Sequence, residues 1–330
     1  MNIVKTSLVA AAGLVLAASA NAQTVIKIGH DQPENSTHHQ AVLKWKQAVE
    51  TRSKGAYKIE AFPAMILGSG VQMVEQLQAG AIQAVAVPSA WIAPIVPDVQ
   101  VLDLPFLFPS REVLYKVVDG PVGAEILKPL NKAGLQGVAF WESGFKQFTG
   151  NFPIRQPKDY EGHKIRTMPA PVIMEQFKAF GASPVAIDFK ELYNALQQKV
   201  VDGQENPIAT IALMRFFEVQ KYLTLSDHGF IAYIVVMNKA FLDGQPADMR
   251  KILVDEARAA GRFQRDIIAK SEAGHLETFR KAGVEIIQLS PEQRAMFQKA
   301  SGRVYDWYAE KKGAGTLNLI REAVKSVAMK

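Results

Sequence analysis

The stretch at residues 162–207, GHKIRTMPAPVIMEQFKAFGASPVAIDFKELYNALQQKVVDGQENP, decides the fold. An apolar-basic strand at 163–168 runs into a turn marked by proline, then into a helix over 172–179. A second short strand spans 184–187 and a second helix 189–198. The segment VVDGQENP then reads as a turn. Strand, helix, strand, helix at this spacing is a βαβ pattern and predicts a parallel sheet. Open α/β sheets hold ligands at the carboxyl ends of their strands. Arg166 stands near the end of the first strand, and Asn206 follows the Asp-Gly turn after the second helix. Both therefore reach one cleft.

Upstream, the pattern repeats. Residues 25–29 alternate as a strand, and a polar segment leads into a helix at 41–52. Residues 57–62 form a second strand. A helix at 71–79 stops at Gly80, a natural C-terminal signal. Residues 83–87 make a third, buried strand, and its carboxyl end carries Ser89 and Trp91 to a cleft edge. A further strand covers 138–141, and GFKQFTGN (144–151) crosses towards a second domain. Downstream, 208–217 reads as a helix, and 230–236 is an apolar strand, including Tyr233, that returns to the first domain. Residues 246–282 place Met249, Leu253, Ala257, Ala260, Phe263 and Ile267 at helical spacing. Pro246 opens that helix and Gly283 closes it. At 1.5 Å per residue it is on the order of 55 Å long, enough to cross both domains. Gly261 and Gly274 are its expected points of bending or breakage. A last strand at 284–289 precedes two C-terminal helices.

The first 22 residues read as an export signal. Lys5 is their only charge, residues 8–20 are small and apolar, and Ala20-Asn21-Ala22 matches an A-x-A cleavage site. The apolar run is too short to span a bilayer. The mature chain is then an exported protein beginning at Gln23. It has no cysteine, so stability rests on buried core rather than disulfides. The remaining length suits two domains, and 48% hydrophobic with 21% charged residues is ordinary globular composition. The net charge of +6 is mildly basic. No Lys/Arg run or interleaved aromatics argue for nucleic acid.

Catalytic signals are poor. There is no Gly-x-Ser-x-Gly, Walker loop, His-Glu-x-x-His or nucleophilic cysteine. His30, His38 and His39 cluster in sequence, but adjacent histidines on a helix diverge by about 100° and do not share a face, which argues against a metal site. His228 reads as a structural hydrogen-bonder, and Asp188 and Glu191 as solvated helix-start residues. Arg166 differs. An arginine in a buried strand is costly unless paired, so it either bridges two elements or clamps an anion with its planar fork. Asn206 is a turn residue or a ligand group, and Trp91 a core or cleft aromatic.

The words KIRTMP (164–169), GASPVAIDFKELYNALQQKVVDGQENP (181–207) and FFEVQKYLTLSDH (216–228) resemble the solute-binding subunit of TRAP (tripartite ATP-independent periplasmic) transporters. The likeness extends more weakly over the whole mature chain. It implies that Arg166 pairs with a ligand carboxylate, that Asn206 bonds the ligand, and that Phe189 stacks on it. It also implies ligand contacts near Ser89 and Trp91. In GFKQFTGN the family often carries an arginine at its third position. Lys146 stands there, keeping the charge and losing the bidentate fork. Tyr233 is a weaker candidate.

The expected fold is therefore α/β, a two-lobed periplasmic binding protein with two discontinuous domains, hinge strands and a long domain-spanning helix. Residues 23–143 plus 231–270 form lobe 1, and 144–230 plus 271–330 form lobe 2. The expected function is capture of a small organic acid in the periplasm by a monomer, without enzymatic turnover, metal or cofactor. Delivery is to a membrane permease with small and large subunits. The other readings are a ligand-sensing subunit of a signalling system and an exported α/β enzyme. Three aromatics beside one strong anion clamp favour a compact monocarboxylate, such as a 2-hydroxy or 2-oxo acid.

Overall fold

A computed structural model describes residues 23–329. The export segment and its cleavage point lie outside the described residues. The chain opens with β1 (Thr24–His30), α1 (Thr37–Arg52), β2 (Tyr57–Phe62), α2 (Gly70–Gln78), β3 (Ala84–Pro88) and α3 (Ser89–Ile92). Then come α4 (Arg111–Val118), α5 (Pro121–Leu127) and the long β4 (Leu135–Gly150). The middle runs β5 (Lys164–Thr167), α6 (Pro171–Ala179), β6 (Ser183–Ala186), α7 (Leu192–Gln197), β7 (Gly203–Pro207) and α8 (Ile208–Leu213). The last part is β8 (Tyr222–Leu225), β9 (Phe230–Asn238), α9 (Lys239–Asp243), α10 (Ala247–Lys281), β10 (Glu285–Gln288), α11 (Pro291–Lys312) and α12 (Gly315–Ala328).

The strands join in the order β2-β1-β3-β9-β4-β7-β5-β6, with β8 on β4 and β10 on β8. β1 pairs in parallel with β2 and β3, and β5 in parallel with β6 and β7. Each parallel group is a βαβ unit, as the alternation of elements requires. Between them, β9 and β4 run antiparallel. The first ten or so residues of β4 pair with β9, and its last five, Lys146 to Gly150, pair with β7. One strand thus belongs to both halves. At the crossover β4 bulges between Glu142 and Gly144, and Gly144 takes φ +120°, a conformation that side chains resist.

The expected turn VVDGQENP is half correct. Residues 203–207 are instead β7, a buried strand in mid-sheet. Its polar letters hide it from pattern reading, because the usual apolar alternation is replaced by side chains satisfied through hydrogen bonds. Gly203 is required there: a Cβ would stand 2.4 Å from the Thr149 carbonyl oxygen across the ladder.

The long helix α10 runs unbroken through Gly261 and Gly274. Gly261 marks close packing: a Cβ would meet the Trp141 ring at 2.6 Å, and the Trp141 Nε1 donates to the Ala257 carbonyl at 2.9 Å. The helix packs on α1, β4 and α8, and so touches both halves. The sequence division put residues 271–330 in lobe 2. There α11 packs on α6, but α12 returns to α4 and α5 of the first half. No helix among the described residues is long and apolar enough to cross a membrane.

Candidate functional site

Arg166 sits on β5 between β6 and β7, with 2% of its surface exposed. Its Nε donates to the Ile187 carbonyl at 3.0 Å. Its Nη2 is buried and has no hydrogen-bond partner. Burial pushes the guanidinium down to about 10, while Asp188, Glu205 and Asp31 favour the cation. It remains charged at neutral pH. The guanidinium lies 5.9 Å from the centre of the Phe189 ring. Phe189 in turn meets Trp91 edge-on at 6.2 Å and Phe216 at 6.1 Å. Trp91 comes from α3 in the first half and Phe189 from the second, so the aromatic pair joins the halves. Gly70 makes room for it: a Cβ there would stand 1.8 Å from the Trp91 ring.

Pleating sorts the remaining groups. Ile165 is level with Gly203 in the parallel β5–β7 pair, and level residues share a face while successive residues alternate. Arg166 therefore shares a face with Gln204 and Asn206. Glu205 faces the other way, with Phe148 and Lys146. Asn206 donates through Nδ2 to Gln204 Oε1 at 2.5 Å. The chain continues from Gln204 Nε2 to Thr149 Oγ1 at 2.8 Å and from Thr149 to Gln220 at 2.9 Å.

On the other face, Lys146 Nζ meets Glu205 Oε1 at 2.6 Å with both side chains buried. Glu205 Oε2 also accepts from Gln176 Nε2 at 2.9 Å and lies 2.6 Å from His228 Nε2. Burial works against its ionisation, but Lys146 and His228 hold the carboxyl down to about 2. Burial keeps His228 neutral, at about 4. A carboxylate only accepts, so Nε2 carries the proton and Nδ1 accepts from Ser226 Oγ at 2.7 Å. The imidazole stacks on Phe148 at 3.7 Å. His228 is a structural hydrogen-bonder, and the Lys146 charge is matched within the chain.

Tyr233 is level with Pro88 at the end of β3. Its hydroxyl donates to Asp31 Oδ2 at 2.8 Å and accepts from Gln32 Nε2 at 3.0 Å. Ser89 donates to Asp103 Oδ2 at 3.0 Å. Burial raises Asp31 to about 6 and Asp103 to about 7. Each keeps a buried Oδ1 without a partner. The sequence reading passed over both aspartates. The available signal was position, since Asp31 directly follows β1 at its carboxyl edge.

Trp91, Phe189 and Arg166 thus form one connected group. Asp31 and Tyr233 couple to it through the mutual influence of Asp31 and Arg166. Lys146 and Ser89 bind their own carboxylates beside it. A cavity of about 200 Å³ is lined by Ser69, Gly70, Trp91, Pro169, Ile187 and Asp188. A larger one, about 540 Å³, includes Gln32, His38, Ser143, Thr210 and His275. His30 Nε2 and His39 Nδ1 are 3.0 Å apart, but no group of three or more metal-ligating side chains occurs among the described residues.

The model of the bacterial extracellular solute-binding protein family 7 matches residues 28–312. The C4-dicarboxylate-binding periplasmic protein of Rhodobacter capsulatus is 36% identical, covering 96% of this chain and 97% of that one. A TRAP periplasmic solute-binding protein of Desulfovibrio salexigens, solved with bound orotic acid, is 33% identical with a TM-score of 0.89, covering 92% of this chain and all of that one. The sugar acid binding protein of Advenella mimigardefordensis, in complex with galactonate, is 31% identical with a TM-score of 0.88, over 92% and 99% of the two chains.

Proposed function

This chain belongs to the bacterial extracellular solute-binding proteins of family 7, and from that premise we propose that it captures a small organic acid in the periplasm for a TRAP permease. It binds the acid as a monomer, without turnover, after cleavage following Ala22, and docks on small and large membrane subunits. The relatives compared are named for, or were solved with, carboxylic acids.

The observation that carries the reading is the free Nη2 of Arg166. A buried guanidinium donor without an acceptor is costly, and an anion relieves that cost. The carboxylate lies against Arg166, with Phe189 and Trp91 as the apolar wall and Asn206 and Tyr233 as flanking polar groups. Ser89 and Lys146 support the site from beside it through Asp103 and Glu205. With Lys146 matched internally, Arg166 as the clamp suits a monocarboxylate better than a dicarboxylate.

Calorimetry against a panel of organic acids, chosen by thermal shift, tests this. Arg166→Ala leaves a carboxylate without its charged partner, which costs roughly 2–5 kcal/mol, or about 30-fold or more in affinity. Arg166→Lys is also poor, because an ammonium lacks the fork. Near-normal affinity in a folded Arg166→Ala protein would return Arg166 to a structural role.

A further inference from the structure

Asp31 and Arg166 are opposite charges that influence each other and yet do not meet. Asp31 Oδ1 and Arg166 Nη2 are both buried and both without a hydrogen-bond partner. The other Asp31 oxygen is fixed. Oδ2 accepts from the Tyr233 hydroxyl at 2.8 Å and from Gln32 Nε2 at 2.6 Å. Tyr233 is itself held, level with Pro88 on β3 and with its ring 4.2 Å from that of His38. Gln32, bonded to Asp31, lines the larger cavity, and Trp91, in ring contact with Phe189 beside Arg166, lines the smaller. One atom can only donate. The other, on an ionised carboxylate, can only accept.

We propose that Asp31 is the specificity determinant of the site and selects acids that carry a hydroxyl on the carbon next to the carboxylate. The proposal rests on the carboxylate reading above and narrows it to 2-hydroxy acids. The ligand carboxylate accepts from Arg166 Nη2, and its 2-hydroxyl donates to Asp31 Oδ1. Each buried atom then gains the partner it lacks. A 2-oxo acid of the same shape presents an oxygen acceptor to the Asp31 oxygen, so two acceptors face each other and both stay unmatched. A second carboxylate placed there meets a negative charge. A 2-amino acid presents an ammonium with three donors to one free acceptor, which strands donors in a buried site. Asp31 at about 6 is ionised at pH 8, where the distinction between donor and acceptor is complete.

The test is calorimetry at pH 8 with three matched ligands: 2-hydroxy-3-methylbutanoate, 2-oxo-3-methylbutanoate and valine. The hydroxy acid binds the unmodified protein at least about tenfold more tightly than the oxo acid, because a site built for a hydroxyl rejects an analogue without one. Asp31→Asn must keep its amide oxygen towards Tyr233 and Gln32, which turns its NH2 into the site. The preference then collapses or inverts towards the oxo acid. Arg166→Ala weakens both acids together. Equal affinities for hydroxy and oxo acids in the unmodified protein, or an unchanged ratio in folded Asp31→Asn, would overturn the role of Asp31 and leave the carboxylate reading standing. The first of these needs no variant, so it holds even where Asp31→Asn fails to fold. Tightest binding of valine would replace the hydroxyl by an ammonium and end the proposal. Binding of none of the three would end it together with the monocarboxylate reading on which it rests.

Discussion

Arg166 and Lys146 are both buried cations in the second half of the molecule, on strands only two places apart in the sheet. Their surroundings differ. Lys146 faces Glu205, and Glu205 is completed by His228 and Gln176. Arg166 faces the other side of the sheet, spends one donor on a backbone carbonyl and keeps Nη2 free. A buried charge with an internal partner fixes the fold around it. A buried charge with an open donor has a use only when something else arrives. Two buried cations at the same burial therefore differ in what their partners leave open.

The sharpest way to break this comparison is Glu205→Ala. It leaves Lys146 buried without a counter-charge and strands His228 and Gln176. Removing one partner of a buried pair costs roughly 3–5 kcal/mol, read as a large fall in melting temperature. Arg166→Ala removes a charge that the fold has not paired, so without ligand it costs clearly less. Equal loss of stability in the two variants would erase the distinction.

Asp103 sharpens the comparison through pH. It feels Lys146, yet burial outweighs that attraction and raises the carboxyl to about 7, above about 3.9 in the unfolded chain. The native state then holds the proton through a window in which the unfolded state has lost it. Stability from this group is present below about pH 4 and is lost as pH rises to about 7. Asp103→Asn removes that loss. Its stability relative to the unmodified protein should climb between about pH 4 and pH 7 by on the order of 1 kcal/mol or more, measured by denaturant unfolding. A difference that stays flat across the window would mean that Lys146 shares its charge with Asp103 as well as Glu205.

The smallest effect concerns Ser89. Its hydroxyl donates to Asp103, so Ser89→Ala should cost about 1 kcal/mol of stability and little ligand affinity. A loss of affinity beyond about tenfold in calorimetry would make Ser89 a direct ligand group.

Much of the architecture was legible because its signals are local. The βαβ order of residues 162–207, the period of α10 and the stops at Gly80 and Gly283 all follow from neighbouring letters. The errors share one cause. β7 was hidden because its residues are polar, and a polar strand is stable only when distant residues complete its hydrogen bonds: Thr149 for Gln204, His228 for Glu205. Gly261 read as a weak point in α10, but Trp141, more than a hundred positions away, explains it. Likewise, nothing near residues 315–328 says that α12 folds back on α4 and α5.

The sequence by itself determined the alternation of strands and helices, the family and the arginine and aromatic residues available to a site. Those depend on composition and spacing within one stretch of chain. Only the tertiary structure decided which charges are matched. The letters alone do not say whether the lysine at 146 or the arginine at 166 has an internal partner; that appears only when β4, β5 and β7 are laid side by side and pleating turns them to opposite faces. Which atoms of Asp31 and Arg166 stay free depends on partners distant in sequence: Tyr233 takes the other Asp31 oxygen and the Ile187 carbonyl takes Arg166 Nε. Burial raises the cost of every unmatched polar atom, and burial is set by the whole chain.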